Sequence, residues 1–431
     1  MFYCGEGDGG PVFLGRESHM LVIGPPRCGK TTQIVVPNLN AAKSAVVVTS
    51  TKADLFSSSL AQRKAVGNVW LFDPSGSTQV PVGVRRLRYS PVAFADSFAN
   101  ALLLSRAMVR SAMTRGQGNL SFWEERAEAT IAPALFGANL GGLTMSTVMD
   151  MIETKELEPL LALLVANDEM EAARSLASVI GSADRERSGV LSTAAGILSG
   201  FRMPEVLRQS EDPNFDPAAF VSSRDTIYVV APATVQDVLS PLVVGLIWSI
   251  RDAAYQQAAK RHQVSVAAPE EPAVSLILDE MANIAPIYDL GSLLSEGASQ
   301  GILVLGVLQD LSQARSRWSS ASEGFITLFG NTVVFGGIAD VRTLGEFSAL
   351  SGEKLAMLPG TGFRRSVFSP FPISHSGSIR PLLSASEIAH TKRGEALLLR
   401  AATGFSRVRF HRSELQRSRV TPNSKGREIG T

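Results

Sequence analysis

MLVIGPPRCGKTT, residues Met20–Thr32, decides how the rest of the chain is read. Gly24, Pro25, Pro26, Arg27, Cys28, Gly29, Lys30 and Thr31 fit G-x-x-x-x-G-K-[ST], the phosphate-binding loop, and Thr32 continues it. Glycines at both ends let the backbone turn tightly, so that its N–H groups converge on a polyphosphate. The following helix adds the positive end of its dipole. Lys30 reaches the outer phosphates and the Thr31 hydroxyl ligates Mg²⁺. The alternative is a chance glycine-rich turn. Context favours the motif: Leu21–Ile23 reads as a buried strand and Thr31–Val36 as the opening of a helix. The cofactors implied are ATP and Mg²⁺.

Composition bounds what surrounds this loop. At 431 residues with 45% hydrophobic content, the chain holds two domains or one large domain with an insertion. Lys+Arg 41 against Asp+Glu 40 leaves a formal charge of +1, so any contact with DNA must come from local basic groups or from assembly into a ring. The two cysteines are Cys4 and Cys28, the second inside the loop, which argues against a disulfide framework and for a reducing, cytoplasmic setting. No apolar run reaches the roughly 18–20 residues of a membrane helix. The start, MFYCGEGDGG, lacks the basic and apolar regions of a signal peptide. These signs predict a soluble chain with no transmembrane segment.

Outward from the loop, Gln33–Asn40 continues a helix that Pro37 should kink or end early. Ala45–Thr49 (AVVVT) reads as a second buried strand, Leu55–Lys64 as a helix, and Asn68–Phe72 (NVWLF) as a third strand. This alternation predicts an α/β fold with a doubly wound, mainly parallel sheet. From Pro91 to about Gln209 strand-like runs disappear, and Phe122–Ile131, Thr147–Leu157 and Glu169–Ile180 show helical spacing, broken at Gly116–Asn119 and Gly141-Gly142. We read 91–209 as an inserted all-α subdomain, with 1–90 and 210–413 forming the discontinuous sheet domain. Strands return at Thr226–Val230, Val274–Leu278, Ile302–Leu308, Asn331–Phe335, Ala396–Leu399 and Arg407–Phe410, with a helix over Leu239–Ala259. Ala267–Pro272 and Pro359–Ser378 read as loops, and 414–431 as a disordered polar tail.

The second chemical feature is Asp279-Glu280, at the carboxyl end of the strand VSLIL. Ligands of open α/β sheets sit off the carboxyl ends of strands, so this pair and the phosphate loop share one edge. Asp279 is placed to hold Mg²⁺ through water, and Glu280 to orient and deprotonate an attacking water. With Lys30 they make a hydrolytic set for phosphoryl transfer. The alternative for the pair is an acidic helix N-terminus favoured by the dipole. Gln309 ends the neighbouring strand as a sensor of the γ-phosphate or as an ordinary polar strand end. Asp54 and Asp73 follow strand ends too, where Asp also makes turns.

GPPRCGKTTQIVVPNL, AVVVTSTKADL, NVWLFDPSG and SLILDEMANIAPIYDLGSLLSEGASQGILVLGVLQDLSQ, followed by FGNTVVFGG, RPLLSASEI and GEALLLR, resemble the type IV secretion coupling proteins, the TraG/TraD-like ATPases of conjugation. The resemblance runs in order from about Gly15 to Phe410. It implies a RecA-like P-loop NTPase domain with an all-α insertion. It also implies a DNA-dependent ATPase that assembles as a homo-hexamer at the inner face of the membrane. Such a motor recruits relaxase-bound DNA or secreted protein effectors to the channel components. Carried over, Gly29, Lys30 and Thr31 bind nucleotide and Mg²⁺, Asp279 and Glu280 are the Walker B pair, and Gln309 matches the glutamine after the next strand.

Two departures stand out. Many relatives begin with transmembrane helices, whereas here the phosphate loop comes almost at once. Many also carry an arginine in the segment that reads Glu296–Gly301 here, where this chain has Ala298. Arg315 or Arg317 is a candidate substitute, or else a solvated helix residue. Arg85-Arg86-Arg88 and Arg364-Arg365 are candidate phosphate contacts or solvated faces. Phe122-Trp123 reads as helical core rather than a base-stacking platform. Rival readings are an FtsK/HerA-like double-stranded DNA pump, whose family lacks the insertion, a nucleotide-gated recruiting module without turnover, and, more distantly, a small-molecule kinase.

Overall fold

Apolar runs too short for helices and bounded by polar or glycine-rich turns become the strands of one 12-stranded sheet. The computed structural model describes residues 1–112, 122–263, 271–358, 376–401 and 403–410. β1 (Tyr3–Gly7) and β2 (Gly10–Phe13) form a hairpin, and β3 (Met20–Ile23) runs into the phosphate-loop motif. A wide π-helical turn, Thr31–Val35, then leads into α1 (Val36–Ala41). The helix thus passes Pro37 rather than ending there: the wide turn precedes the proline, which sits in the first turn of α1, where its missing N–H is tolerated.

β4 (Ala45–Ser50), α2 (Asp54–Lys64), β5 (Val69–Phe72) and the short β6 (Arg85–Arg86) follow. The described elements between β6 and the next strand are all helical. They are α3 (Phe98–Ala112), α4 (Phe122–Leu140), α5 (Met145–Thr154), α6 (Glu158–Ala166), α7 (Met170–Ile180), α8 (Asp184–Ile197), α9 (Pro204–Glu211) and α10 (Pro217–Val221), with short 3₁₀ turns. α4 runs through the middle of this block, packed on α3, α6, α7 and α8. The sheet resumes with β7 (Thr226–Val230), α11 (Gln236–Gln263), β8 (Val274–Leu278), α12 (Met281–Ile284), α13 (Leu290–Glu296) and β9 (Ile302–Leu308). α14 (Leu311–Trp318), α15 (Phe325–Phe329), β10 (Asn331–Phe335), α16 (Val341–Leu350), β11 (Glu353–Leu358), β12 (Ser376–Pro381), α17 (Ala385–Ala389), β13 (Glu395–Arg400) and β14 (Gly404–Arg409) complete the described elements. β11 and β12 pair with each other outside the main sheet.

The sheet order is β2-β1-β14-β13-β10-β3-β9-β8-β4-β7-β5-β6. From β10 to β6 the pairs are parallel, and from β13 outward to β2 they are antiparallel. Both faces of the central strands are buried, as a covered parallel sheet requires. Leu21 and Ile23 of β3 belong to the core shared with α15, which packs on β3, while Met20 and Val22 belong to the core shared with α1 and α2. The sequence reading missed β1 and β2 because the glycines of GEGDGG mask their short alternation.

Several expectations need correction. α11 is 28 residues and apolar enough to cross a membrane by length and composition, so the chain does contain such a run. Most of its apolar stretch is buried inside the fold, where it packs on α3 and α12. Phe122 and Trp123 are not core: they are 55% and 42% exposed at the start of α4, packed edge-to-face on each other. The predicted breaks or loops at Gly116–Asn119, 267–270 and 359–375, the pair Arg364-Arg365, and the 414–431 tail lie outside the described residues.

Candidate nucleotide site

β3 ends at Ile23, and the Gly24 N–H donates to the carbonyl of Leu308, the last residue of β9, at 3.2 Å. A Cβ on Gly24 would stand 2.7 Å from both Cys28 Sγ and Phe335 Cβ, so only glycine fits between the loop and the end of β10. Gly29 has φ +112°, a conformation that disfavours side chains, and Arg27 also lies in the left-handed region at φ 65°. These turns hold the loop in a tight arch. Pro26 and Arg27 are exposed on its crest. Burial pushes the Cys28 thiol pKa up, with Lys30 offsetting only part of the effect, which keeps the thiol protonated rather than a reactive thiolate.

Lys30 is buried, and its ammonium donates to the carbonyls of Gly24 and of Pro25, the latter at 3.0 Å. Thr31 Oγ1 donates to Asp279 Oδ2 at 3.2 Å, linking the loop to the end of β8 across the intervening β9. Thr32 Oγ1 instead bonds the Gly29 carbonyl at 3.2 Å and braces the turn. Two residues that sequence reasoning did not single out fix the acidic pair. Thr49, the last residue but one of β4, donates through its hydroxyl to the Asp279 main-chain oxygen at 2.7 Å. Asn283 Nδ2 donates to Glu280 Oε2 at 3.3 Å. A threonine near the end of an otherwise apolar strand was the available signal for the first.

Glu280 sits at φ 52°, ψ 43°, a left-handed conformation that turns its carboxylate away from the strand axis at the start of α12. Its Oε1 accepts from Gln309 Nε2 at 3.3 Å, and the Gln309 N–H is held by Gln313 Oε1 at 2.9 Å. Lys30, Thr31, Asp279, Glu280 and Gln309 therefore converge from the ends of β3, β8 and β9. Burial, then the neighbouring Glu280 charge, push the Asp279 carboxyl up to about 6, with Lys30 and Thr31 pulling the other way. A divalent cation suits this place. A hydroxyl and a carboxylate supply hard oxygens, and added positive charge would relieve the crowded pair. Among the described residues no cluster of three or more His, Cys, Asp or Glu is placed to hold a metal ion.

Other candidates lie elsewhere. Asp73 is buried and closes its own turn, accepting from Ser75 Oγ at 2.6 Å, Ser77 Oγ at 3.0 Å and the Thr78 N–H at 2.6 Å. Asp54 is exposed at the first turn of α2. Arg315 is bound to Asp340 at 2.6 Å and Glu346 at 3.2 Å, and Arg317 donates to the Ser111 carbonyl. Arg86 pairs with Glu205, Arg88 with Asp212, and Arg85 lies over the Trp70 ring. A cavity of about 730 Å³ opens at the opposite, amino edge of the sheet, lined by Lys43, Arg224, Arg261 and Glu271 among others, remote from the acidic pair.

Comparison with known proteins accords with this geometry. A family model described as type IV secretory system conjugative DNA transfer matches residues 2–412. Protein VirD4 of Rhizobium radiobacter is 24% identical over 410 residues, which cover 91% of this chain but 58% of that protein. The chain thus spans little more than half the length of this relative. The unbound bacterial conjugative coupling protein TrwBdeltaN70 has a TM-score of 0.70 at 16% identity, covering 94% of this chain and 87% of that one. Plasmid coupling protein TrwB in complex with ADP and Mg²⁺ has a TM-score of 0.66 at 16% identity, covering 92% and 86%. The fold is that of a RecA-like P-loop protein. With a sheet of this order, a glycine-framed loop facing an acidic strand end, and a family match across nearly its whole length, the chain belongs to the type IV secretion coupling proteins of conjugative DNA transfer.

Proposed function

We propose that this chain is the ATP-driven motor portion of a coupling protein that delivers relaxase-bound DNA or protein effectors to a type IV secretion channel. The observation that carries this reading is the convergence of Lys30, Thr31, Asp279, Glu280 and Gln309 at one sheet edge. In this assignment Gly24–Thr32 wraps the phosphates with main-chain N–H groups, and Lys30 leaves its carbonyl partners for the outer phosphates. Thr31 and Asp279 hold Mg²⁺, which supplies charge neutralisation on the phosphates. Glu280 orients the attacking water and takes its proton, and Gln309 holds the Glu280 carboxylate in place. Residues 91–209 act as the unit that meets cargo, with 1–90 and 210–413 as the motor domain. Assembly as a homo-hexamer at the cytoplasmic face of the membrane completes the proposal.

The helices between β6 and β7 support this reading over an FtsK/HerA-like pump, whose family lacks that insertion. One observation favours the gated module without turnover. Ala298 stands in the segment where the family resemblance implies an arginine in many members, and Arg315 is held by acids of its own chain. Steady-state phosphate release separates the two. The motor reading expects ATP turnover that rises with DNA and with protein concentration, and loss of at least about 100-fold in Lys30→Ala, since that lysine neutralises developing phosphate charge. ATP binding without turnover under any of these conditions would leave the gated module.

A further inference from the structure

We propose that the β-turn Lys392–Glu395, through Arg393, forms the seat for the nucleoside end of the bound nucleotide. This rests on the reading of Gly24–Thr32 as the triphosphate site. The direction in which the nucleotide lies follows from the sheet order β13-β10-β3-β9-β8. Asp279 and Gln309 end β8 and β9, so the metal-bearing, terminal phosphate lies on that side of the loop. The ribose and base must leave on the other side, over the end of β10 and the start of β13, which runs antiparallel to it. β13 lies two strands from β3, about 10 Å at ordinary strand spacing.

The turn is built onto the phosphate loop through two glycines. A Cβ on Gly336 would fall 2.2 Å from the Thr391 carbonyl oxygen, and one on Gly337 would fall 3.1 Å from Pro25 Cγ. The Gly337 N–H also donates to the Ala389 carbonyl at 2.7 Å. Loop, strand end and turn are thus stacked in direct contact. The turn itself is closed by the Glu395 N–H donating to Lys392 O at 3.0 Å and pinned by the Phe410 N–H donating to Gly394 O at 2.8 Å. Gly394, at φ +86°, takes the left-handed position that leaves Arg393 at the corner of the turn.

Arg393 is exposed and has no acidic partner among the described residues, whereas Glu395 of the same turn pairs with Arg407 and Arg409. A planar guanidinium offers a face on which any base can stack, and it is the natural cation for that role. The carboxylate of the turn, Glu395, is taken up by Arg407 at 2.8 Å and Arg409 at 3.8 Å rather than left to read a guanine edge, so the seat selects a nucleoside without choosing strongly between purines.

The test compares affinities of ADP, GDP and inorganic tripolyphosphate for the full chain and for Arg393→Ala, by calorimetry with Mg²⁺ present. The expected result is a loss of about 2- to 5-fold for both nucleotides with tripolyphosphate unchanged, the scale of one solvent-facing cation–π contact. Unchanged ADP and GDP affinities would overturn the proposal, and so would equal weakening of tripolyphosphate, which would place Arg393 on the phosphates. A wild-type chain that binds neither nucleotide nor tripolyphosphate would overturn the phosphate-loop reading itself, and this proposal with it.

Discussion

The two edges of one parallel sheet carry charge in opposite ways. At the amino edge, Arg63 of α2 is fully buried, 0% exposed, and spends all its donors on neutral oxygens. Its Nε donates to Thr226 Oγ1 at 2.7 Å, Nη1 to the carbonyls of Leu39 at 3.3 Å and of Ala42, and Nη2 to those of Ser44 and Arg224 at 3.3 and 3.2 Å. Leu39 and Ala42 lie at the end of α1, where the last carbonyls have no partner within the helix. At the carboxyl edge, Asp279 and Glu280 are adjacent carboxylates with few donors, on backbone held in a left-handed turn. The amino edge is closed and strengthens the fold. The carboxyl edge is left under-compensated, so a cation and a polyphosphate can complete it.

The largest effect is expected at the closed edge. Arg63→Ala removes the cation and strands five acceptors, so it should cost about 4 kcal/mol of stability in urea unfolding followed by circular dichroism. ADP affinity of the fraction that stays folded should be unchanged, because the site lies at the other edge. A loss below about 1 kcal/mol would break the contrast, since the carbonyls would then be satisfied without Arg63.

The open edge should respond in the opposite sense. The Asp279 carboxyl is held at about 6 in the folded chain, against about 4 when unfolded. The folded state therefore takes up this proton first as pH falls. The cost of keeping the carboxylate charged is present above pH 6 and is relieved on acidification towards 4. Asp279→Asn should make the nucleotide-free protein about 2–3 kcal/mol more stable at pH 7.5, an advantage that shrinks to nothing by pH 4. The same variant should lose Mg²⁺-dependent ADP binding. Paired urea titrations at the two pH values check it, and an equal or lower stability at pH 7.5 would show that the edge is not under-compensated.

This contrast also explains what could be read from the sequence. Gly24, Gly29, Lys30 and Thr31 are local: their spacing alone sets the arch. Asp279-Glu280 was legible because an apolar strand ended there, and parallel strands end on one edge. Arg63 was invisible. It sits in an unremarkable helix, and its five acceptors, four of them main-chain carbonyls, come from residues 39 to 226, so only tertiary structure assembles them. Phe122-Trp123 misled for a related reason, since helical spacing reports a face and not what covers it. The β1–β2 hairpin was hidden by its glycines. Arg315 and Arg317 gave no sequence sign that Asp340, Glu346 and the Ser111 carbonyl would occupy them.

The smallest effect sharpens how far the open edge depends on its backbone. Thr49 stands one residue before the end of β4, and its hydroxyl donates to the Asp279 main-chain oxygen at 2.7 Å, tying adjacent strands where β8 turns into the acidic pair. Valine keeps the shape and the strand preference but not the donor. Thr49→Val should therefore cost about 1 kcal/mol, the loss of one buried hydrogen bond. If that bond only staples two strands, ADP affinity with Mg²⁺ will not change. If it also sets the direction of the Asp279 carboxylate, affinity falls several-fold with Mg²⁺ present and not in its absence, because only the metal-dependent part of binding uses that carboxylate. We expect the second result. The left-handed turn at Glu280 begins one residue later, and a strand end free to shift would carry both carboxylates with it.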